Sequence, residues 1–328
     1  MPPSDRKAIY QRVGFTENPF AVAADPRFHY LSAQHRVVLD NLQAIVDDHQ
    51  GLAVVEGAMG VGKSMLARRL HAQYEKERDS YRVLYLHTAA YKTAFEALSD
   101  ITERLGLPMR RGAHAKRLEL ERWLLAQHRT GYTVVIIVDD AQMLSPASLE
   151  VFHYLYNFDV REKLVQVVLF GQTEIRDLLD ANKPLRSRVL AWETLLPMRP
   201  ADALNMINYR CQVAGHPQPI LDESAFMALY EASEGNPRTL VILCQDVVKL
   251  LAASGQKVAD LAAAEQAIQR FQQRPDGAGG ASQQLPLPEA PGDDAAEPTA
   301  PRIDRKAPTR TTRKTARKAP VPDALTRQ

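Results

Sequence analysis

Apolar residues follow two rhythms along the chain. Runs without alternation, GLAVVEG (51–57), RVLYLH (82–87), TVVIIVDD (133–140) and KLVQVVLFG (163–171), read as strands covered on both faces. Between them, apolar positions three and four apart predict helices near 63–78, 92–105, 115–128 and 146–157. Such alternation implies a parallel sheet with right-handed crossovers. After a short strand at 191–196 the pattern is purely helical. The first of these helices opens at Pro200 and ends on Gly215, and others fit 222–233, 237–253 and 258–271. The expected fold is an α/β domain followed by a helical bundle.

Composition changes that picture mainly at the C-terminus. Of the 328 residues, 45% are apolar, enough for a sizeable core. From Pro275 onward there are nine prolines and no Phe, Trp or Tyr, a composition that cannot bury enough surface to offset ordering entropy, so disorder is expected over 274–328. Within this tail, residues 302–318 carry eight Lys or Arg against the single acid Asp304, whereas the preceding body is near neutral. Cys211 and Cys244 sit in apolar helical patterns without metal-type spacing and read as reduced core thiols. The longest strongly apolar run, 134–138, is far short of the ~20 residues a membrane span requires. With no signal peptide evident, a cytoplasmic location is expected.

The candidate chemistry begins at the first strand. Gly57-Ala58-Met59-Gly60-Val61-Gly62-Lys63-Ser64 satisfies G-x-x-x-x-G-K-[ST] between a strand and a helix, with Met65 following. Glycines let successive backbone N–H groups turn inward to cradle phosphates, with the helix N-terminus adding partial positive charge. Lys63 would reach the β- and γ-phosphates, and Ser64 would hold Mg2+. The apolar run into Asp139 puts a carboxylate at a strand end, where it can hold Mg2+ through water. Asp140 is a candidate to orient the attacking water, and alternatively a helix N-cap. Gln172 in GQTE either bonds the γ-phosphate or lytic water or serves as a turn residue. Arg186 and Arg188, just before the last strand, can complete a neighbour's site or form surface salt bridges. Arg238 in SEGNPRTL stands in the first turn of a helix, placed to swing onto phosphates, or is simply exposed there.

Taken together, these segments resemble the AAA+ ATPases, in the branch joining secretion-accessory ATPases of ExeA type to transposition regulators of TnsC type. The resemblance covers about residues 13–271 and rests on GFTENPFAVAADPRFHYLSAQH (14–35), GAMGVGKS, VDDAQMLSPASLE, LVQVVLFGQTEIRDLL and ASEGNPRTL. It implies a P-loop fold with five parallel strands, helices on both faces, a helical lid, and homo-oligomeric rings or helical filaments holding ATP between subunits. It divides the chain into a segment 1–50 packing on the nucleotide site, a core at 51–198 and a lid at 199–273. It also implies that Asn18 to Phe20 lie near the adenine and that Arg186 or Arg188 is the arginine finger. The usual glutamate is replaced by Asp140, shorter by about 1.5 Å, so slow hydrolysis is expected.

Secretion-type relatives continue into a membrane helix, whereas this chain continues into a basic tail. That contrast favours a regulator that binds duplex DNA as an ATP-dependent oligomer and hands the site to a transposase. Lys92, Arg110, Arg111, Lys116 and Arg117 are the candidate phosphate contacts, with a solvated loop and helix face as the alternative. The tail would add sequence-independent attraction to DNA, aid solubility, or dock an acidic partner. Two other functions stand beside this one: an assembly ATPase working with a separate membrane partner, and a slow ATP-gated scaffold.

Overall fold

The computed structural model describes residues 9–21, 25–87, 89–159 and 162–274. A helical turn at 9–13 (α1) and a 3-10 turn at Pro26–Phe28 precede α2 (Ala33–Asp47). The α/β part then runs β1 (Leu52–Gly57), α3 (Lys63–Lys76), β2 (Tyr81–Leu86), α4 (Ala94–Arg104), α5 (Ala113–Arg129) and β3 (Thr133–Val138). It continues through α6 (Pro146–Tyr156), β4 (Val165–Gly171), α7 (Ile175–Asp180), α8 (Lys183–Arg186) and β5 (Ala191–Leu195). Four helices complete the described chain: α9 (Pro200–Val213), α10 (Glu223–Ser233), α11 (Pro237–Ser254) and α12 (Leu261–Gln272).

The five strands are parallel in the order β2-β3-β4-β1-β5. Interior strand β1 pairs Val54 with Leu169 on one side and with Trp192 on the other, and every residue of β1 is buried. Strand periodicity splits that burial between two cores. Leu52 and Val54 pack with Leu98, Leu120, Phe152 and Leu179, from the helices between β2 and β5. Ala53 and Val55 pack on the opposite face with Leu42, Leu66, Leu70 and Tyr74 of α2 and α3. Runs without alternation therefore did mark strands sandwiched between helical layers.

A third core joins α9 to α12 through Met206, Phe226, Leu243 and Val247, and it encloses Phe15, Phe20 and Phe28. Cys211 and Cys244 are free thiols buried in this core. Burial pushes both thiol pKa values up, that of Cys211 to about 12, so neither is a ready nucleophile.

The N-terminal fifty residues divide between two cores. Residues 15–28 join the lid core, whereas α2 joins the sheet-covering layer ahead of the expected boundary at 51. Ser32 caps α2 by accepting from His35 N, and Val38, Leu39, Leu42, Ile45 and Val46 form its buried stripe. Strand β3 stops at Val138, two residues short of the expected end, because Asp140 turns to φ 52°. Among the described residues no helix is long and apolar enough to cross a membrane. The basic tail from Pro275 lies outside the described residues.

Candidate nucleotide site

The strand-to-helix loop at 57–62 is shaped by its glycines and held from outside by side chains. Gly62, at φ 112°, is the N-cap of α3, and a Cβ added there would stand 2.8 Å from His35 Nε2. His35 is buried beneath the loop. The Ser32 backbone N–H can only donate, and it points at Nδ1 (3.4 Å), leaving Nε2 protonated to donate to Val61 O at 3.1 Å. Burial lowers the His35 pKa, in keeping with this neutral tautomer.

Lys63 folds back along the loop and donates to the carbonyls of Gly57 and Ala58, both at 2.8 Å. Burial lowers its pKa, opposed by the nearby carboxylates of Asp140, Asp139 and Glu174. The ammonium thus sits amid the loop's carbonyls, beside the carboxylates expected to serve magnesium and water.

Those carboxylates take different places. Asp139 is 1% exposed. Its Oδ1 accepts from Ser64 Oγ at 3.1 Å and its Oδ2 from Tyr85 OH at 2.9 Å. Hydroxyl and carboxylate oxygens in contact fit a hard cation such as Mg2+. No group of three or more His, Cys, Asp or Glu gathers around a metal position among the described residues, so this pair would hold Mg2+ together with phosphate oxygens and water. Asp140 precedes a 3-10 turn at Ala141–Met143 without making a side-chain cap bond, so its N-cap alternative has no bond behind it. Its Oδ1 instead accepts from Gln142 Nε2 at 3.2 Å, and Gln142 Oε1 accepts from the Gln172 backbone N–H at 3.0 Å. Gln142 thereby ties the end of β3 to the end of β4.

From the lid, Asn236 Nδ2 donates to Met59 O at 2.8 Å. A Cβ at Gly60 would lie 2.9 Å from Arg238 Cβ, which puts the Arg238 backbone directly over the loop while its side chain is exposed. Lys63, Ser64, Asp139 and Asp140 lie together at the loop and Arg238 approaches it from the lid, whereas Gln172 is joined to Asp140 only through its backbone N–H and Gln142.

Other expected residues are placed differently. Phe20 is wholly enclosed in the lid core, so its ring offers no face to an adenine, and Asn18 Oδ1 accepts the Phe20 backbone N–H at 3.0 Å. Arg186 pairs with Asp180 at 3.1 Å and lies 4.2 Å from the Trp192 ring centre. Arg188 bonds His153 and lies 5.6 Å from the Tyr156 ring centre. Of the basic candidates, Lys116 is buried with its ammonium 5.5 Å from the Phe95 ring centre, which takes it off any phosphate-facing surface. Arg117 lies over Tyr154 and Arg110 pairs with Glu119 at 3.0 Å, whereas Lys92 and Arg111 are exposed.

The sequence motifs contained His35, Tyr85, Gln142 and Asn236 without distinguishing their roles. His35, Tyr85 and Asn236 each bond the loop or Asp139 from an element distant in sequence, whereas Gln142 bonds Asp140 two residues away and reaches the distant end of β4 through the Gln172 backbone.

Residues 46–179 match the AAA domain family model. General secretion pathway protein A of Aeromonas hydrophila is 34% identical over 239 residues, which is 71% of this chain and 43% of that protein. The chain thus spans less than half the length of this relative. Among solved structures, Drosophila ORC bound to DNA superposes with a TM-score of 0.60 at 15% identity, covering 84% of this chain and 70% of that one. Aeropyrum pernix ORC2, solved with ADPNP and ADP, gives 0.57 at 13% identity, covering 77% and 71%. The Thermotoga maritima RuvB branch-migration motor gives 0.51 at 15% identity, covering 76% and 75%. The chain has the P-loop AAA+ fold.

Proposed function

We propose that this AAA-domain chain is an ATP-hydrolysing switch whose subunits assemble through bound nucleotide, working as the assembly ATPase of a secretion-type machinery. The observation that carries the ATPase reading is the contact of Ser64 with Asp139 beside Lys63 and Asp140, beneath a lid that brings Arg238 over the same loop. Identity of 34% to General secretion pathway protein A supports the secretion-type reading.

In this reading the backbone N–H groups of 58–63 bind the phosphates, with Lys63 exchanging its carbonyl partners for phosphate oxygens. Mg2+ on Ser64, and on Asp139 through water, would offset phosphate charge. Asp140 orients the attacking water, with Gln142 holding its carboxylate and the Gln172 backbone in register. Arg238 closes from the lid, and Arg186 of one subunit reaches the phosphate held by its neighbour. The short reach of Asp140 makes turnover slow.

The test measures binding, turnover and assembly separately. Lys63→Ala should abolish nucleotide binding, whereas Asp140→Asn should bind and assemble with turnover reduced about 10²-fold or more. Unchanged hydrolysis in Asp140→Asn removes that residue from catalysis. Unchanged binding in Lys63→Ala discards the site.

Exposed Lys92 and Arg111, with the basic stretch at 302–318, support a second reading in which the oligomer binds duplex DNA and serves a transposase. Retention of DNA with ATP but not ADP, falling steeply between two salt concentrations, would favour it. Equal and negligible retention with ATP, with ADP and without nucleotide would dismiss it.

A further inference from the structure

The geometry points to Asn236 as the residue that couples the orientation of the phosphate loop to the position of the lid. This rests on the nucleotide reading above and adds to it the device by which the lid detects the loop.

Three bonds exhaust most of one amide. Asn236 Oδ1 accepts from the backbone N–H of Arg238 at 3.0 Å and of Thr239 at 3.4 Å, forming the cap of α11. Its Nδ2 donates to Met59 O at 2.8 Å. Backbone N–H groups can only donate and a backbone carbonyl can only accept, so the amide's orientation is fixed by its partners. One side chain therefore starts the lid helix and grips the loop.

The gripped carbonyl governs a phosphate-facing group. In a trans peptide C=O and N–H point in opposite directions, so holding Met59 O toward the lid aims the Gly60 N–H away from it. Gly60 is held at φ 88°, and a Cβ there would stand 2.6 Å from Asn236 Oδ1. Lid and loop are in van der Waals contact at this point. His35 does the same for the next carbonyl but one, Val61 O, from helix α2 on the sheet side. The loop thus has one anchor in the α/β layers and one in the lid.

Adjacent contacts make the lid anchor the one that can be released. Met198 lies in the link between β5 and α9; its N–H donates to Gly235 O at 2.9 Å, and its own carbonyl accepts from Tyr230 OH at 3.0 Å. Residues 235 and 236 are therefore tied, one to the link and the other to the loop. Rotation of the lid about the link would preserve the Gly235 bond and break the Asn236 bond. Arg238, two residues further, would leave with it. By linkage, nucleotide that favours the gripped loop favours the docked lid by the same free energy.

Asn236→Ser retains a capping oxygen but lacks both the reach and the donor for Met59 O. The full chain and this variant would be compared for ADP and ATP affinity, melting temperature, and amide hydrogen exchange in 57–64 and 236–242. Expected for the variant is an unchanged apo melting temperature and about 5–30-fold weaker nucleotide binding. Nucleotide should still protect the loop while no longer protecting the start of α11. Equal affinity with undiminished protection of α11 would overturn the coupling and leave Asn236 a simple cap. Asn236→Asp caps fully and faces Met59 O with an acceptor, so it must show the same loss of α11 protection if Asn236→Ser folds poorly; retained protection overturns the coupling. A wild-type chain that binds neither ADP nor ATP would overturn the nucleotide reading, and the coupling with it.

Discussion

His35 shows how the phosphate loop depends on the protonation of a buried residue that bonds its backbone. Its Nδ1 accepts from the Ser32 backbone N–H at 3.4 Å and lies 2.9 Å from Ser32 Oγ, so a proton added there sets N–H against N–H and forces the Ser32 hydroxyl to become the acceptor, while Nε2 still donates to Val61 O. In the unfolded chain the imidazole protonates near pH 6.5, whereas burial holds the folded value lower. Between those values the unfolded state carries the extra proton. Stability should therefore be full above about pH 6.5 and decline as pH falls through that range. Asp202 pulls the His35 pKa the other way without reversing the shift. Half-buried His29 and His71, also depressed, add to the same slope. His35→Gln, whose amide can still donate, should flatten part of the loss in urea midpoint between pH 7 and pH 5. An unchanged slope would show that His35 does not govern this titration.

At the scale of elements, Arg210 on α9 is a clasp between the lid and the N-terminal segment. Its guanidinium donates to Pro19 O and Ala21 O, both at 2.8 Å, and to Phe28 O at 3.4 Å, while lying 5.4 Å from the Phe28 ring centre. Arg210→Met keeps the apolar stem and strips three carbonyls of their donor. The expected cost is about 2–4 kcal/mol in urea denaturation, with faster hydrogen exchange at 25–30. A loss below about 0.5 kcal/mol would mean that water replaces the clasp without cost. No sequence pattern signals this contact, because Arg210 follows the helix spacing like any surface arginine and its acceptors lie some 180–190 positions away. The strands were legible because two-sided burial leaves unbroken apolar runs, and Lys63, Ser64 and Asp139 because a phosphate loop constrains spacing. Helix α2 was less legible, its stripe from Val38 to Val46 lying behind a motif read for ligand contact. For Phe20 the family resemblance implied a place near an adenine, and what the sequence did not signal is that its ring packs inside the lid core.

For the whole molecule the question is whether one chain holds a complete site. Asp139, Asp140, Lys63 and Arg238 gather on a single loop, but Arg186 and Arg188 engage partners of their own beyond it. Arg186 is the better candidate to act on a neighbour. Its pair with Asp180 joins two side chains 39% and 58% exposed, and such pairs contribute only about 0–1 kcal/mol, which leaves its contact with the Trp192 ring as the main interaction to be given up. Arg188 is more committed, to the His153 ring and the Pro184 carbonyl. Arg186→Ala should leave ATP affinity unchanged and lower turnover about 10³-fold, as expected for a charge that acts on the transferring phosphate. Mixing discriminates a shared site from a self-contained one. Lys63→Ala chains retain Arg186, and Arg186→Ala chains retain Lys63. In a head-to-tail assembly of equal parts, roughly one interface in four unites an intact loop with an intact arginine. Two inactive preparations should therefore regain activity when combined. Recovery with Arg188→Ala in place of Arg186→Ala would transfer the role to Arg188, and no recovery with either would place the entire ATP site within one subunit.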